Sequence, residues 1–291
     1  MSSPAGDLGI TIEVAAALVA AQFPDGSGSA LAPFAHGWDN ETFSLGANLL
    51  VRIPRRQVAV RLIRNEQRWL PTLAPLVPVA VPEPVHCGRP SADFPHPWSI
   101  VPRLPGTELA ALSLDHRSAA ADDLADVLVA LHRPAPRDAP RNEFRGVPLA
   151  HRRSAIATRL AALPGLDPRL DDRWLAWNAA APYSGPPVWL HGDLHPRNLL
   201  VDSDGRLSAV LDWGDVTAGD PASDLATAWL AFGAPDRERF VRRYQRGTRC
   251  DESTWTRARA WALALATAFL HARDPLLAPV ARHALADLLA D

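Results

Sequence analysis

The chain has 291 residues, 47% hydrophobic and 21% charged, and a formal net charge of −2. That length buries a full core in one large domain or two packed lobes; the charge offers no basic footprint for nucleic acid, and no apolar run approaches the ~20 residues of a membrane span. All 30 basic residues are arginine, which excludes lysine Schiff-base chemistry and the G-x-x-x-x-G-K-[ST] phosphate loop and leaves every cationic role to a group that does not act as a titrating base.

In chain order, residues 11–22 (TIEVAAALVAAQ) are predicted as an amphipathic helix, broken by Pro24-Asp25-Gly26-Ser27-Gly28. The short apolar runs 30–36, 42–46 and 48–54, separated by turns, read as antiparallel strands. In the third of these Leu50 and Arg52 point to one side and Leu49, Val51 and Ile53 to the other. Residues 57–73 form a helix that Pro75, Pro78 and Pro82 end. Ala59, Leu62, Ile63, Trp69 and Leu70 surround Glu66 at helical spacing, which places this carboxylate on the buried face. A buried carboxylate needs a cation; Arg52 is favoured, with Arg55, Arg56 and Arg61 as the alternatives.

Strands follow near 83–88 and 97–102, and Pro105-Gly106 breaks the chain. Beyond it, 107–132 reads as helix, Pro134, Pro136 and Pro140 mark a loop, and helices follow near 149–162 and 168–180. A strand-turn region occupies 187–212, and 222–291 is almost entirely helical. The expected class is therefore α+β, a strand-rich lobe (1–102) and a larger helical lobe (103–291) joined by a hinge at 103–106.

The most informative segment is 188–215, VWLHGDLHPRNLLVDSDGRLSAVLDWGD. One strand delivers the polar loop His191–Arg197. Two more strands, joined by the turn Asp202-Ser203-Asp204-Gly205, form a hairpin that brings Asp193, Asn198 and Asp212 together. These are oxygen donors of the kind Mg²⁺ prefers, with a carboxylate left over to receive a proton. Placement and charge neutralisation are what phosphoryl transfer chiefly needs.

His191-Gly192-Asp193 followed four residues later by Asn198 resembles the catalytic loop of the aminoglycoside phosphotransferase family. These are kinase-fold enzymes that phosphorylate hydroxyls of small molecules. Leu211-Asp212-Trp213 is similar to the family's metal-binding strand end, and Gly219–Ala226 (GDPASDLA) to its G-D-P-x-x-D-L-A stretch. The resemblance implies a bilobal protein-kinase-like fold with Asp193 as catalytic base and Asn198 and Asp212 as Mg²⁺ ligands. It also implies ATP or GTP as donor and a hydroxyl-bearing acceptor, an antibiotic such as an aminoglycoside. A macrolide, a peptide antibiotic or a metabolic small molecule is the alternative acceptor, and a nucleotide-binding pseudokinase the alternative function.

By the same resemblance the N-terminal lobe holds the nucleotide. Arg52 stands where members commonly have lysine, with Glu66 as its partner. Gly37–Thr42 occupies the place of the phosphate-covering loop, with Asn40 and Thr42 within reach of phosphate, although alone it reads equally as a hairpin turn. Residues 99–103 would face the base; Pro102 has no N–H, so the backbone of Val101 and Arg103 is assigned that contact. His191 is expected to anchor the loop and His195 to brace it. Asp220 and Asp224 are expected to cap the helix that starts near Pro221.

A polycationic acceptor calls for an acid-rich site, for which Asp215, Asp236, Glu238, Asp251 and Glu252 are candidates. Trp174, Trp177, Trp229, Trp255 and Trp261 are candidate pocket or core residues. A cytoplasmic monomer with Cys87 and Cys250 as reduced thiols completes the expectation: no secretory leader pattern is seen, and no membrane or nucleic-acid partner is indicated.

Overall fold

Alternating burial decides the N-terminal half of the structure, a computed structural model that describes residues 6–291. Helix α1 (Ile12–Gln22) starts at Thr11, whose side chain accepts from the Val14 N–H. Strands β1 (Leu31–His36), β2 (Asn40–Leu45) and β3 (Leu49–Pro54) are consecutive antiparallel hairpins, with Thr42 opposite Arg52. Helix α2 (Val60–Leu73) follows. Then β4 (His86–Gly88) and β5 (Trp98–Pro102) complete a sheet of order β1-β2-β3-β5-β4.

Side chains of a strand alternate between faces. Phe43, Leu45, Val51, Ile53, Trp98 and Ile100 therefore share one face, where they form a core with Ala15, Leu18 and Val19 of α1. The other face turns Arg52 toward α2, on which Ile63, Glu66 and Leu70 are buried.

The predicted helix over 107–132 is shorter than expected. Residues Thr107–Glu108 are a strand, β6, paired with Leu200 and Val201, and single 3₁₀ turns follow. Gly106 at φ +139° turns the chain so closely past Val201 that a Cβ there would lie 2.9 Å from its carbonyl oxygen, and sheet pairing then overrides the helical propensity of the next residues. Helix α3 begins only at Ala119 (Ala119–Leu131). Helices α4 (Arg153–Ala162) and α5 (Arg169–Asn178) match expectation to within a turn.

Strands β7 (Val188–Leu190), β8 (Leu199–Val201), β9 (Leu207–Val210) and β10 (Thr217–Gly219) carry the loops of the central segment, β8 and β9 as the predicted hairpin. Helices α6 (Ala222–Leu225), α7 (Thr227–Ala231), α8 (Ala234–Gly247), α9 (Glu252–Ala272) and α10 (Ala278–Ala290) end the chain. Helix α9 is buried nearly all round, with α4, α5, α6 and α10 packed against it. The whole is a bilobal α+β fold. No described helix is long and apolar enough to cross a membrane, and Cys87 and Cys250 are free thiols.

One buried ion pair ties α9 to the loop before α6. The Arg257 guanidinium donates to Asp220 at 2.7 Å, and both side chains are buried. Removing one partner leaves an uncompensated buried charge. Asp220→Ala is expected to lower the unfolding free energy by roughly 3–5 kcal/mol, read by urea titration. A loss below about 1 kcal/mol, the usual upper value for an exposed pair, would contradict this role.

Candidate active site

The loop after β7 is held by its own backbone. Gly192 has φ +88°, and a Cβ there would lie 2.2 Å from the Asp215 carbonyl oxygen, so only glycine fits. Asp224 accepts the N–H groups of His191 (2.7 Å) and Gly192 (3.0 Å). Asp224 is thus not the helix cap expected of it; its carboxylate turns back onto the loop. Asp220 does act as a cap, accepting the Ala222 N–H at 3.0 Å. His191 Nε2 bonds the Leu211 carbonyl at 2.8 Å, while its Nδ1 accepts from the Asp193 N–H. Those two partners fix the neutral tautomer with the proton on Nε2, and His191 anchors the loop as expected.

Asp193 is a quarter exposed. Arg145 donates to its Oδ1 at 3.0 Å and to the Gly192 carbonyl at 2.6 Å, and His195 Nε2 lies 3.5 Å from its Oδ2. Burial works to raise the Asp193 pKa, but His195 and Arg145 outweigh it and hold the carboxyl well below the usual range. His195 thus faces the carboxylate itself; its Nδ1 is buried with no hydrogen-bond partner among the described residues.

Asn198 donates from Nδ2 to the Asp193 carbonyl at 2.9 Å, which turns its amide oxygen away from the loop. The Leu211 N–H bonds the Asn198 carbonyl at 2.8 Å, and Asp212 is the next residue. Asp212 adopts a left-handed backbone conformation (φ 57°) that few non-glycine residues use. Its side chain is 54% exposed.

The N-terminal sheet reaches this cluster through one side chain. Arg52 Nη1 donates to both Glu66 oxygens, at 2.8 and 2.7 Å, and Nη2 lies 3.4 Å from Asp212 Oδ1. Burial opposes the charge on Arg52, but Glu66 and Asp212 outweigh it and keep the guanidinium ionised. Two of the alternative partners go elsewhere: Arg55 bonds the Gly37 carbonyl and Arg56 bonds Asp39. Asn65 on α2 donates to the Gly214 carbonyl at 3.0 Å, a second tie between the halves.

Thr42 stands opposite Arg52, and Asn40 lies two residues along the same strand face, its Oδ1 buried without a partner among the described residues. The backbone contact assigned to Arg103 is not available: its N–H is bonded to Asn48 at 2.8 Å. Hydrogen-bonded pairs recur every second residue in an antiparallel ladder, so the same phase directs the Val101 N–H at Leu50, its partner in register.

Asp39, in the turn between β1 and β2, was not singled out from sequence. Its pKa is raised to about 6 by burial first and then by Asp212, with Asp215 and Asp193 adding to the effect and Arg56 opposing it. Only the fold shows that this loop places a carboxylate within the field of the three others. Arg145 likewise carried no sequence signal, being one arginine among 30.

Arg145, bonded to Asp193, also lines a cavity of about 270 Å³ together with Phe144, Arg152, Arg159, Asp215 and residues of α9 including Trp261; Asp193 itself is not among the lining residues. The expected acid-rich lining is not assembled: Asp236 bonds Ser118, Glu238 pairs with Arg242, Asp251 caps α9 and Glu252 pairs with Arg259. Of the acids proposed for it, only Asp215 is there, held by Asn142 at 2.7 Å. Trp174, Trp177, Trp229 and Trp255 are core residues; Trp261 alone among these tryptophans borders the cavity. A larger groove of about 1210 Å³ runs past Asn142, Gly146, Tyr183 and Arg257; no side chain of the 191–198 loop lines either cavity, and the smaller one connects to Asp193 through Arg145.

Comparison with known proteins agrees with this architecture. The family model described as "Phosphotransferase enzyme family" matches residues 30–261. An uncharacterised protein of Bacillus subtilis, YcbJ, is 29% identical over 177 residues, 53% of this chain and 58% of that protein. This chain thus spans somewhat more than half the length of that relative. Viomycin phosphotransferase of Streptomyces vinaceus is 29% identical over 205 residues, 65% of this chain and 69% of that protein. Among solved structures, a GDP complex of aminoglycoside 2'-phosphotransferase-IIIa superposes with TM-score 0.70 at 18% identity, over 97% of this chain and 99% of that one. Macrolide 2'-phosphotransferase MphH of Brachybacterium faecium superposes with TM-score 0.61 at 24% identity, over 94% and 97%. These likenesses show the bilobal kinase-like fold.

The Asp39 shift has a signed consequence. A carboxyl whose folded pKa is raised binds its proton more tightly when folded, so it contributes stability at low pH that is lost as pH rises from about 4 through about 6. Asp39→Asn is expected to unfold at a higher temperature than the parent at pH 7.5, with the difference shrinking toward zero at pH 4. An equal difference at both pH values would show that Asp39 does not feel the other carboxylates.

Proposed function

Because the chain belongs to the phosphotransferase enzyme family, we propose that it transfers the terminal phosphoryl group of a nucleoside triphosphate, ATP or GTP, to a hydroxyl of a small molecule. The observation that carries this reading is the convergence of Asp193, Asn198, Asp212 and the Arg52–Glu66 pair where the N-terminal sheet meets the 191–212 segment. The GDP complex of the superposable aminoglycoside phosphotransferase supports a nucleotide donor.

The donor set suits Mg²⁺. Asp212 is half exposed, its Oδ1 held only by a long contact to Arg52, and the Asn198 amide oxygen is turned away from the loop. Two such oxygens leave the remaining octahedral positions to water and phosphate. Bound there, the ion would neutralise phosphate charge. Arg52, on the face it shares with Thr42 and Asn40, supplies a fixed cation for the same phosphates, its guanidinium kept in place by Glu66.

Asp193 receives the acceptor hydroxyl. Its low pKa makes it an acceptor of hydrogen bonds at every physiological pH, suited to orienting the hydroxyl and taking the proton late, as the new bond to phosphorus forms. The hydroxyl oxygen attacks the terminal phosphorus, the bond from that phosphorus to the bridging oxygen breaks, and the nucleoside diphosphate leaves with that electron pair. The proton passes to Asp193 and then to solvent. The kinases that match this fold act on antibiotics by their names, and an antibiotic acceptor is one outcome of the tests below.

Asp193→Asn is expected to lower acceptor-dependent nucleoside diphosphate release by roughly 10²–10⁴-fold while keeping the rise in melting temperature caused by Mg²⁺-nucleotide. Asp212→Asn is expected to lose most of that rise. Undiminished turnover in Asp193→Asn would overturn the base assignment. Stabilisation by nucleotide with no transfer to any acceptor would favour a nucleotide-binding pseudokinase.

A further inference from the structure

The cavity that Arg145 connects to Asp193 is cationic. Arg145, Arg152 and Arg159 line it, and Asp215 is the single carboxylate among its lining residues. Arg145 is already committed to Asp193 and the Gly192 carbonyl. The other two have no carboxylate partner among the described residues. Arg159 donates to the backbone carbonyls of Ala155 and Ala264, and the Arg152 guanidinium lies over the Phe144 ring at 5.1 Å.

Both are half-buried, and both sit in one another's field. The pKa of Arg159 is pushed down to about 10, by burial first and then by Arg152 and Arg145, and that of Arg152 is lowered by burial and Arg145. Other arginines of this half of the chain, Arg206, Arg239, Arg243 and Arg257, each meet an aspartate. Guanidiniums clustered in excess of their counter-charge repel one another, and an incoming anion offsets that cost. Guanidinium is also the group that reads carboxylate and phosphate by paired hydrogen bonds.

Resting on the phosphotransfer reading, we propose that the acceptor is a compact alcohol carrying an anionic group, a carboxylate or phosphate, which Arg152 and Arg159 bind while its hydroxyl meets Asp193. The cavity of about 270 Å³ lies just under the ~300–1,000 Å³ typical of small-ligand sites. Trp261, Ala264 and Leu265 give it an apolar floor for the carbon skeleton. A polycationic acceptor would meet three like charges there.

The test uses three sugars of one shape and different charge: glucuronate, glucose and glucosamine. Calorimetric binding to the nucleotide-free protein is expected to favour glucuronate over glucosamine by at least ten-fold. Arg159→Gln and Arg152→Gln should each reduce that preference toward parity. The Arg152 side chain makes no hydrogen bond among the described residues and its guanidinium lies over the half-exposed Phe144 ring, so its replacement carries little risk to folding even if Arg159→Gln does not fold. Equal binding, no binding of any of the three, or preference for glucosamine overturns the proposal. A parallel transfer assay with Mg²⁺-ATP and Mg²⁺-GTP, over small hydroxy acids, neutral sugars, kanamycin and viomycin, separates the two readings. No transfer to any acceptor, with the glucuronate preference intact, sinks phosphoryl transfer and leaves the anion site standing. Transfer to kanamycin or viomycin without the glucuronate preference does the reverse.

Discussion

The Arg52 guanidinium links the N-terminal sheet to both α2 and the loop that carries Asp212. It holds Glu66 of α2 with one nitrogen and touches Asp212 of the helical half with the other. A buried carboxylate without a partner is costly, so Glu66 pins α2 against β3. With α2 pinned, Asn65 reaches the Gly214 carbonyl, and α2 lies along the 213–215 turn. The geometry between sheet and loop thus depends on one cation shared by two acids.

That arrangement explains how the cleft tolerates its charges. Asp39, Asp193, Asp212 and Asp215 lie within one another's fields, and like charges this close destabilise the empty protein. Arg52, Arg56 and Arg145 offset part of the repulsion. Burial and the remaining repulsion raise the pKa of Asp39 and Asp215 above the usual carboxylate value. Beyond Arg145 the imbalance reverses, with arginines in excess around the cavity. Asp193 therefore lies between an acid-rich region, with Asp39, Asp212 and Asp215, and the arginine Arg145 that leads to an arginine-rich cavity. The absence of lysine sharpens both features, because guanidinium stays ionised where a buried ammonium would shed its proton.

The local chemistry of this protein was legible in its sequence. The strand–loop–hairpin of 188–212, the convergence of Asp193, Asn198 and Asp212, the buried face of α2 and the Arg52–Glu66 pairing all follow from alternation, helical spacing and the cost of a buried charge. These are short-range or single-element properties, and the residues state them directly. What the tertiary structure alone decided depends on contacts far apart in the chain. Thr107–Glu108 became strand because Leu200 and Val201 offered an edge. The Arg103 N–H was taken by Asn48. Asp224 turned from helix cap to loop clamp because the fold brought the His191 and Gly192 N–H groups to it. The expected acidic acceptor site dispersed into ion pairs and caps elsewhere, and Arg145, Arg152 and Arg159, seven residues apart, were brought against α9 to line a cavity with Trp261. No spacing rule reaches across such separations, since which charges share a cavity is set by packing and not by their order in the chain.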